Sequence, residues 1–178
     1  MERKRPKPEH MTHLNGKTLV RKDHPRIAFR GWIDRLEGEI LLTARESLDS
    51  GRPVLAGELT ELLDFVRGLI RADVLGEAVG EFRLAGYDPG QLREYSHTPE
   101  KYFGQGHFMP APQDDPVLLS INRLRTLIRQ AELAGYRAFK NYDGTVSRPD
   151  ILLAMNRLSS LCWIWQIKLK AGLYPPGR

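Results

Sequence analysis

The sequence contains a single cysteine, Cys162, among its 178 residues. One cysteine excludes an internal disulfide and a Cys-x2-Cys metal site, and it favours a reducing location in the cytoplasm. Long apolar runs are also missing. The longest, residues 158–167, is interrupted by serine and glutamine, whereas a membrane-spanning helix needs about 20 apolar residues. No apolar stretch follows the charged residues 1–8, so we expect neither a signal peptide nor a membrane segment.

The charge of the chain is moderately basic, with a net charge of +5 and 28% charged residues. Part of this charge lies in residues 3–8, where basic side chains alternate with prolines. This pattern predicts a flexible tail over residues 1–11, followed by one domain over residues 12–178. Nucleic acid, a phosphorylated metabolite or no partner at all are each compatible with such a tail. Composition does not choose among them.

Strand signals are nearly absent, and apolar residues recur instead at helical spacing. Residues 1–25 and 76–112 are the least regular parts of the sequence, apart from one short helix in the second of them. The pattern predicts an all-α fold, a five-helix bundle of four long helices and one short helix. The long helices are expected at 26–49, 55–75, 116–139 and 150–171, and the short one at 89–103.

A narrow polar stripe runs along the predicted helix 116–139. Arg125, Arg129 and Glu132 fall within about 60° of one another when each residue advances by about 100°. Leu124 and Ile128 belong to the core-forming face, which this stripe flanks. One interpretation is a solvated face with an Arg129–Glu132 ion pair. The other is a triphosphate site, because guanidinium groups bind phosphate oxygens through two parallel hydrogen bonds.

Two further polar features accompany this stripe. Asn156, Ser159 and Ser160 share one face of the apolar last helix, together with Trp163. These small side chains either admit a neighbouring helix or leave space for a nucleotide.

Asp34 lies between apolar residues of the first helix, where a carboxylate needs a cationic partner. Arg125 and Arg129 are the obvious partners, and Arg30 or Arg35 are local alternatives.

These residues belong to longer segments that resemble the ethanolamine-utilization cobalamin adenosyltransferases, in the same order over residues 12–170. A weaker likeness reaches the propanediol-utilization type. Its patterns Arg-x3-Arg-x2-Glu and Asn-Arg-Leu-Ser match residues 125–132 and 156–159. The segments that carry the first resemblance are KDHPRIAFRGWID (22–34), IRADVLGEAVG (70–80), SHTPEKYFGQGHFMP (96–110), LLSINRLRTLIRQAE (118–132) and RPDILLAMNRLSSL (148–161).

The resemblance implies a five-helix bundle that is usually trimeric, with active sites between subunits. It implies a transferase that moves the 5′-deoxyadenosyl group of ATP to the cobalt of cob(I)alamin, with Mg²⁺, and releases adenosylcobalamin and tripolyphosphate. Arg125 and Arg129 would then contact the ATP phosphates. Asp34 would form a salt bridge across the subunit interface, with Arg125 as the closer match.

Other positions carry further implied roles. Asn156 would bind the nucleotide, Glu132 would orient the arginines, and Lys22 would lie in the N-terminal phosphate-binding segment. In the propanediol type that segment reads Thr-x-Thr-Gly-Asp-x-Gly, which residues 12–18 do not match. Relatives often add a metal-binding region with a histidine and clustered cysteines, and no such cluster occurs here. We therefore expect no bound transition metal.

The resemblance also implies a corrin-binding loop at residues 104–110. An apolar group there displaces the lower cobalt ligand, and His107 and Phe108 are the two candidates. Cobalt is the nucleophile of the reaction, which explains why the sequence contains no catalytic triad. A reductase or an acceptor enzyme is a possible partner.

Two alternatives to the transferase remain. One is a helical module that binds and delivers adenosylcobalamin without making it. The other is a helical protein that binds nucleic acid through the basic tail. Acidic residues are interspersed along the helices, and no helix has a one-sided basic face, so nucleic acid is not the expected partner.

Overall fold

The computed structural model describes residues 7–177, and residues 1–6 of the predicted tail lie outside the described residues. Within this range the chain is mostly helical, as predicted, with one small hairpin before six helices. No helix of residues 7–177 is long and apolar enough to cross a membrane. The elements are β1 (Met11–His13), β2 (Leu19–Arg21), α1 (Pro25–Asp49), α2 (Pro53–Leu75), α3 (Pro89–His97), α4 (Pro99–Phe103), α5 (Pro116–Phe139) and α6 (Pro149–Lys170).

Each of these six helices begins with a proline. Proline suits the first turn of a helix because its ring presets the backbone angle and its missing N–H has no intrahelical partner there. Carboxylates cap two of the starts: Asp88 accepts from the Gln91 N–H and Asp115 from the Val117 N–H. The prolines therefore mark the helix starts in the sequence, and the four long helices begin within two residues of their predicted positions.

The four long helices form the body of the fold. Helix α1 packs against α2 and α5, α5 packs against α6, and α3 covers α6 from outside. Phe29 of α1 meets Phe139 of α5 edge to face, with ring centroids 5.3 Å apart. A Cβ atom at Gly135 would approach Phe29 to 3.1 Å and Leu152 to 3.2 Å. This glycine therefore permits the close approach of α1, α5 and α6.

Helices α2 and α6 are joined by a polar cluster around Glu58. The Trp165 indole N–H donates to Glu58 over 2.5 Å, as does the Tyr174 hydroxyl. The Lys168 ammonium lies 3.7 Å from the same carboxylate. Burial raises the pKa of Tyr174 and lowers the pKa of Lys168. The cluster fastens the segment after α6 to the bundle.

A second polar cluster joins the start of α1 to the end of α2. The Asp73 side chain is fully buried and accepts hydrogen bonds from Arg26 Nε at 2.9 Å and from Arg30 Nε at 2.7 Å. Arg26 also donates to the Asp73 carbonyl oxygen. The sequence pattern does not reveal these two contacts, because Asp73 is more than forty residues from either arginine in the chain.

The prediction that residues 1–25 are irregular is wrong for residues 11–21. Strands β1 and β2 pair in antiparallel register, with Thr12 opposite Val20. The Asn15 side chain accepts from the backbone N–H groups of Lys17 and Thr18 and so shapes the connection. Strands of three residues are too short to show an alternating pattern. Met11, the last residue of the predicted tail, begins β1.

The predicted short helix over 89–103 is two helices, α3 and α4. They meet at Thr98, whose φ of −128° and ψ of 53° are not helical. Pro99 is the cause, because proline cannot donate a helical hydrogen bond and disfavours helical angles in the preceding residue. The described residues therefore contain six helices rather than the predicted five.

Candidate active site

A groove of about 710 Å³ runs between α5, α6 and the loop 104–110. The structure brings five of the predicted site residues together along its walls. These residues are Arg125 and Arg129 on α5, Asn156 on α6, and His107 and Phe108 on the loop. Met109 of the loop is 88% exposed beside them. The α5 wall of the groove is therefore cationic and the loop wall is aromatic.

The groove continues into a neighbouring cavity of about 490 Å³, which Arg129 and Asn156 also line. Glu132 lies in this second part and accepts a hydrogen bond from Asn156 Nδ2 at 3.0 Å. Arg157 Nη1 donates to Asn156 Oδ1 at 2.6 Å. The Asn156 amide is thus oriented by a cation on one side and a carboxylate on the other.

Arg125 and Arg129 of α5 carry no carboxylate partner within the described chain. The Arg129–Glu132 ion pair is therefore not formed in residues 7–177, and that part of the solvated-face interpretation is wrong. The Nε of Arg125 is buried and has no hydrogen-bond acceptor. Burial, and then the charge of Arg129, lowers the pKa of Arg125. Two unpaired guanidinium groups at this position favour a polyanionic ligand.

The loop 104–110 is fastened to α6 through Trp163. The Trp163 Nε1 atom lies 3.2 Å from His107 Nδ1, and His107 Nε2 lies 3.2 Å from the His97 carbonyl oxygen. The Phe108 ring stacks on the Trp163 indole at a centroid distance of 5.2 Å. Trp163 shares a face with Asn156 in the sequence pattern, but no role was predicted for it, because its contacts to the loop are remote in sequence.

Lys22 and Asp34 lie outside this groove. Lys22 follows β2 and is exposed beside His10, Arg21 and Asp23. No hydrogen bond or ion pair of the exposed Asp34 carboxylate occurs within the described residues. The predicted local pairing of Asp34 with Arg30 or Arg35 is wrong. Arg30 donates to Asp73 instead, and the Arg35 guanidinium lies 5.5 Å from the Trp32 ring centroid. A bridge from Asp34 to a second subunit stays a prediction.

No group of three or more His, Cys, Asp or Glu side chains suited to a metal ion occurs in residues 7–177. Cys162 is buried, and burial raises the pKa of its thiol. A neutral thiol is a poor metal ligand. Glu132 is the one carboxylate among the described residues that line the groove and its extension.

The family model described as cobalamin adenosyltransferase matches residues 4–169 of this chain. The chain belongs to the cobalamin adenosyltransferase family. It is 32% identical over 161 residues to corrinoid adenosyltransferase EutT of Escherichia coli strain K12, and 30% identical over the same length to that of Salmonella typhimurium strain LT2. Each alignment covers 90% of this chain and 59% of the relative, so the chain spans about three fifths of these relatives. No solved structure shows significant similarity to it.

Proposed function

We propose that this chain transfers the 5′-deoxyadenosyl group of ATP to the cobalt of cob(I)alamin and releases adenosylcobalamin and tripolyphosphate. The observation that carries the proposal is a groove that Arg125 and Arg129 line together with the loop 104–110, without a carboxylate partner within the described chain. Family membership adds the substrates, since the named relatives are corrinoid adenosyltransferases.

In this reaction an electron pair of Co(I) attacks C5′ of ATP. The Co–C bond forms, the C5′–O bond breaks, and the triphosphate leaves with the bonding electrons. Negative charge grows on the leaving oxygen, so the main task of the protein is to stabilise the triphosphate and to hold C5′ over the cobalt. Arg125 and Arg129 are placed for the first task.

The neighbouring residues complete the nucleotide side of this proposal. Asn156, oriented by Arg157 and Glu132, offers an amide to the nucleoside. Lys22, outside the groove of one chain, would contribute from the N-terminal segment. On the corrin side, the loop residues His107 and Phe108 are the proposed contacts.

An Mg²⁺ ion held mainly by phosphate oxygens fits the groove, because Mg²⁺ in nucleotide sites usually takes only one or two protein carboxylates. Glu132 would supply that carboxylate. When bound, the ion would neutralise part of the triphosphate charge.

We further propose that the chain acts as a homotrimer with active sites between subunits. Asp34 supports this arrangement, because it is exposed on α1 and unpartnered within the described chain, as a residue reserved for another subunit would be. Its proposed partner is Arg125 of the neighbouring subunit. The single buried cysteine and the need for Co(I) support a reducing, cytoplasmic setting, with a reductase or an acceptor enzyme as a possible partner.

The deciding experiment mixes the purified protein with ATP, Mg²⁺ and chemically reduced cobalamin under anaerobic conditions. We expect the absorbance of a light-sensitive Co–C product, and no product when ATP is omitted. If no product forms although the protein is folded and cobalt is in the Co(I) state, the transferase proposal is wrong. Tight binding of ready-made adenosylcobalamin in that case would favour the delivery module instead.

A further inference from the structure

The indole of Trp163 contacts both walls of the groove. On one side its ring lies nearly parallel to His107, at an interplanar angle of 11°, and stacks with Phe108. From the α5 wall, the Arg125 guanidinium carbon lies 5.5 Å from its ring centroid. Trp163 is therefore in contact with the proposed corrin loop and with the proposed triphosphate site at once.

Hydrogen bonding determines which nitrogen of His107 carries the proton. The indole N–H of tryptophan is only a donor, so His107 Nδ1 must accept from it. The neutral ring then carries its hydrogen on Nε2, which donates to the His97 carbonyl oxygen. Both ring nitrogens are used inside the protein, and neither is free to bind another atom.

We propose that Trp163 is a positioning residue that couples the loop 104–110 to Arg125, and that His107 is its hydrogen-bonded bridge rather than a ligand of cobalt. This inference rests on the proposed function. The Trp163–His107 bond holds the loop at the position where the corrin binds. The face of the same indole holds Arg125 by a cation–π contact. Phe108 and the exposed Met109 are then the loop side chains that remain available to displace the lower cobalt ligand.

The substitution Trp163→Phe separates the two contacts, because it removes the N–H donor and keeps an aromatic ring. We expect the KM for the corrinoid to rise about fivefold, the usual effect of one lost hydrogen bond, with the KM for ATP changed less than about twofold. Trp163→Leu removes the ring as well and should raise the KM for ATP too. Tyr102→Phe is the matched control, because it removes the Tyr102–Glu94 hydrogen bond near the same loop and should change neither KM.

His107→Ala tests the same bond from the exposed side, where the substitution does not disturb the core. It should reproduce the KM pattern of Trp163→Phe, and the double variant should be no worse than either single variant. The coupling role would be overturned if the effects of the two substitutions were additive in the double variant. It would also be overturned if Trp163→Phe left the corrinoid KM unchanged or raised both KM values equally.

Cobalt ligation is tested by electron paramagnetic resonance of the protein with Co(II) cobinamide, which has no base of its own. We expect no splitting from an axial nitrogen. A nitrogen splitting that disappears in His107→Ala would overturn the bridge role. Product formation by the wild-type protein is measured in parallel. An inactive wild type contradicts the proposed function, whereas an active wild type with any of the overturning patterns contradicts only this inference.

Discussion

Arg125 and Arg129 lie one helical turn apart on α5 and share one side of the groove. Their spacing made them visible in the sequence, because residues four apart on a helix face the same way. The same spacing did not reveal whether Glu132 neutralises them. The Glu132 carboxylate instead accepts a hydrogen bond from Asn156, which lies on another helix. Whether a charged side chain is neutralised thus depends on partners from other helices, and the residue pattern of a single helix does not show those partners.

Arg129→Ala should lower kcat/KM for adenosyl transfer by a factor of about 10² to 10³, the typical loss when one preorganised charge-stabilising group is removed. Arg129 is exposed, so the far-ultraviolet circular dichroism should stay unchanged. Arg137→Ala, which removes an exposed arginine from the same helix outside the groove, is the control and should keep its activity. Near-normal turnover by Arg129→Ala would remove the phosphate role.

At the scale of elements, buried ion pairs hold the helix ends in place. Asp73 joins α2 to α1 through two arginines, while Arg148 and Asp150 fasten the start of α6 to the end of α2 and the segment after it. The prolines at the helix starts were readable from the sequence. These contacts could not be predicted from the sequence, because most of them join residues more than forty positions apart in the chain. The Arg148–Asp150 pair is the local exception.

Asp73→Asn should lower the free energy of unfolding by about 3 kcal/mol, because it leaves Arg26 and Arg30 without their counter-charge in a mostly buried place. Urea unfolding followed by circular dichroism measures this loss. Asp64→Asn on the exposed side of the same helix is the control. The Asp64 side chain is 74% exposed, and its only ion pair within the described residues, with Arg67, is a long one of 3.8 Å. An equally small effect at both positions would show that the buried cluster does not stabilise the fold.

Asp150 should make stability depend on pH. The Arg148 guanidinium is the main cause that lowers the pKa of Asp150 to about 2. A carboxylate with a depressed pKa stabilises the folded state above its unfolded pKa and loses this contribution as the pH falls toward the folded value. Asp150→Asn should therefore cost about 1 to 2 kcal/mol at pH 7 and progressively less between pH 4 and pH 2. Urea midpoints measured from pH 7 to pH 3 test the trend, and a gap that stays constant would contradict it.

At the scale of the whole molecule, periodicity predicted the helical bundle well and the N-terminal part poorly. Hydrophobic spacing over twenty or more residues leaves few alternatives to a long helix. The hairpin of β1 and β2 depends instead on one asparagine turn and on pairing between short strands. The groove belongs to this scale too, because it exists only once α5, α6 and the loop 104–110 are packed together.

Asp34→Asn tests the proposed assembly. Its carboxylate has no partner within the described chain, so its loss should leave the helical signal of the subunit unchanged. Analytical ultracentrifugation should show weaker association, and the KM for ATP should rise, because Arg125 would lose its proposed partner. Asp64→Asn serves again as the control. An unchanged oligomer together with an unchanged KM would contradict the intersubunit bridge.

The charges of Arg125 and Arg129, which no carboxylate of the same described chain compensates, also couple ligand binding to folding. Two cations that the fold keeps together repel each other until a polyanion arrives, so a bound triphosphate relieves a cost that the empty protein bears. Any ligand that binds the folded state in preference to the unfolded chain stabilises it. Tripolyphosphate carries the same group as ATP and would compete with the next ATP for these two arginines. If the chain catalyses the proposed reaction, added tripolyphosphate should therefore inhibit it competitively with ATP.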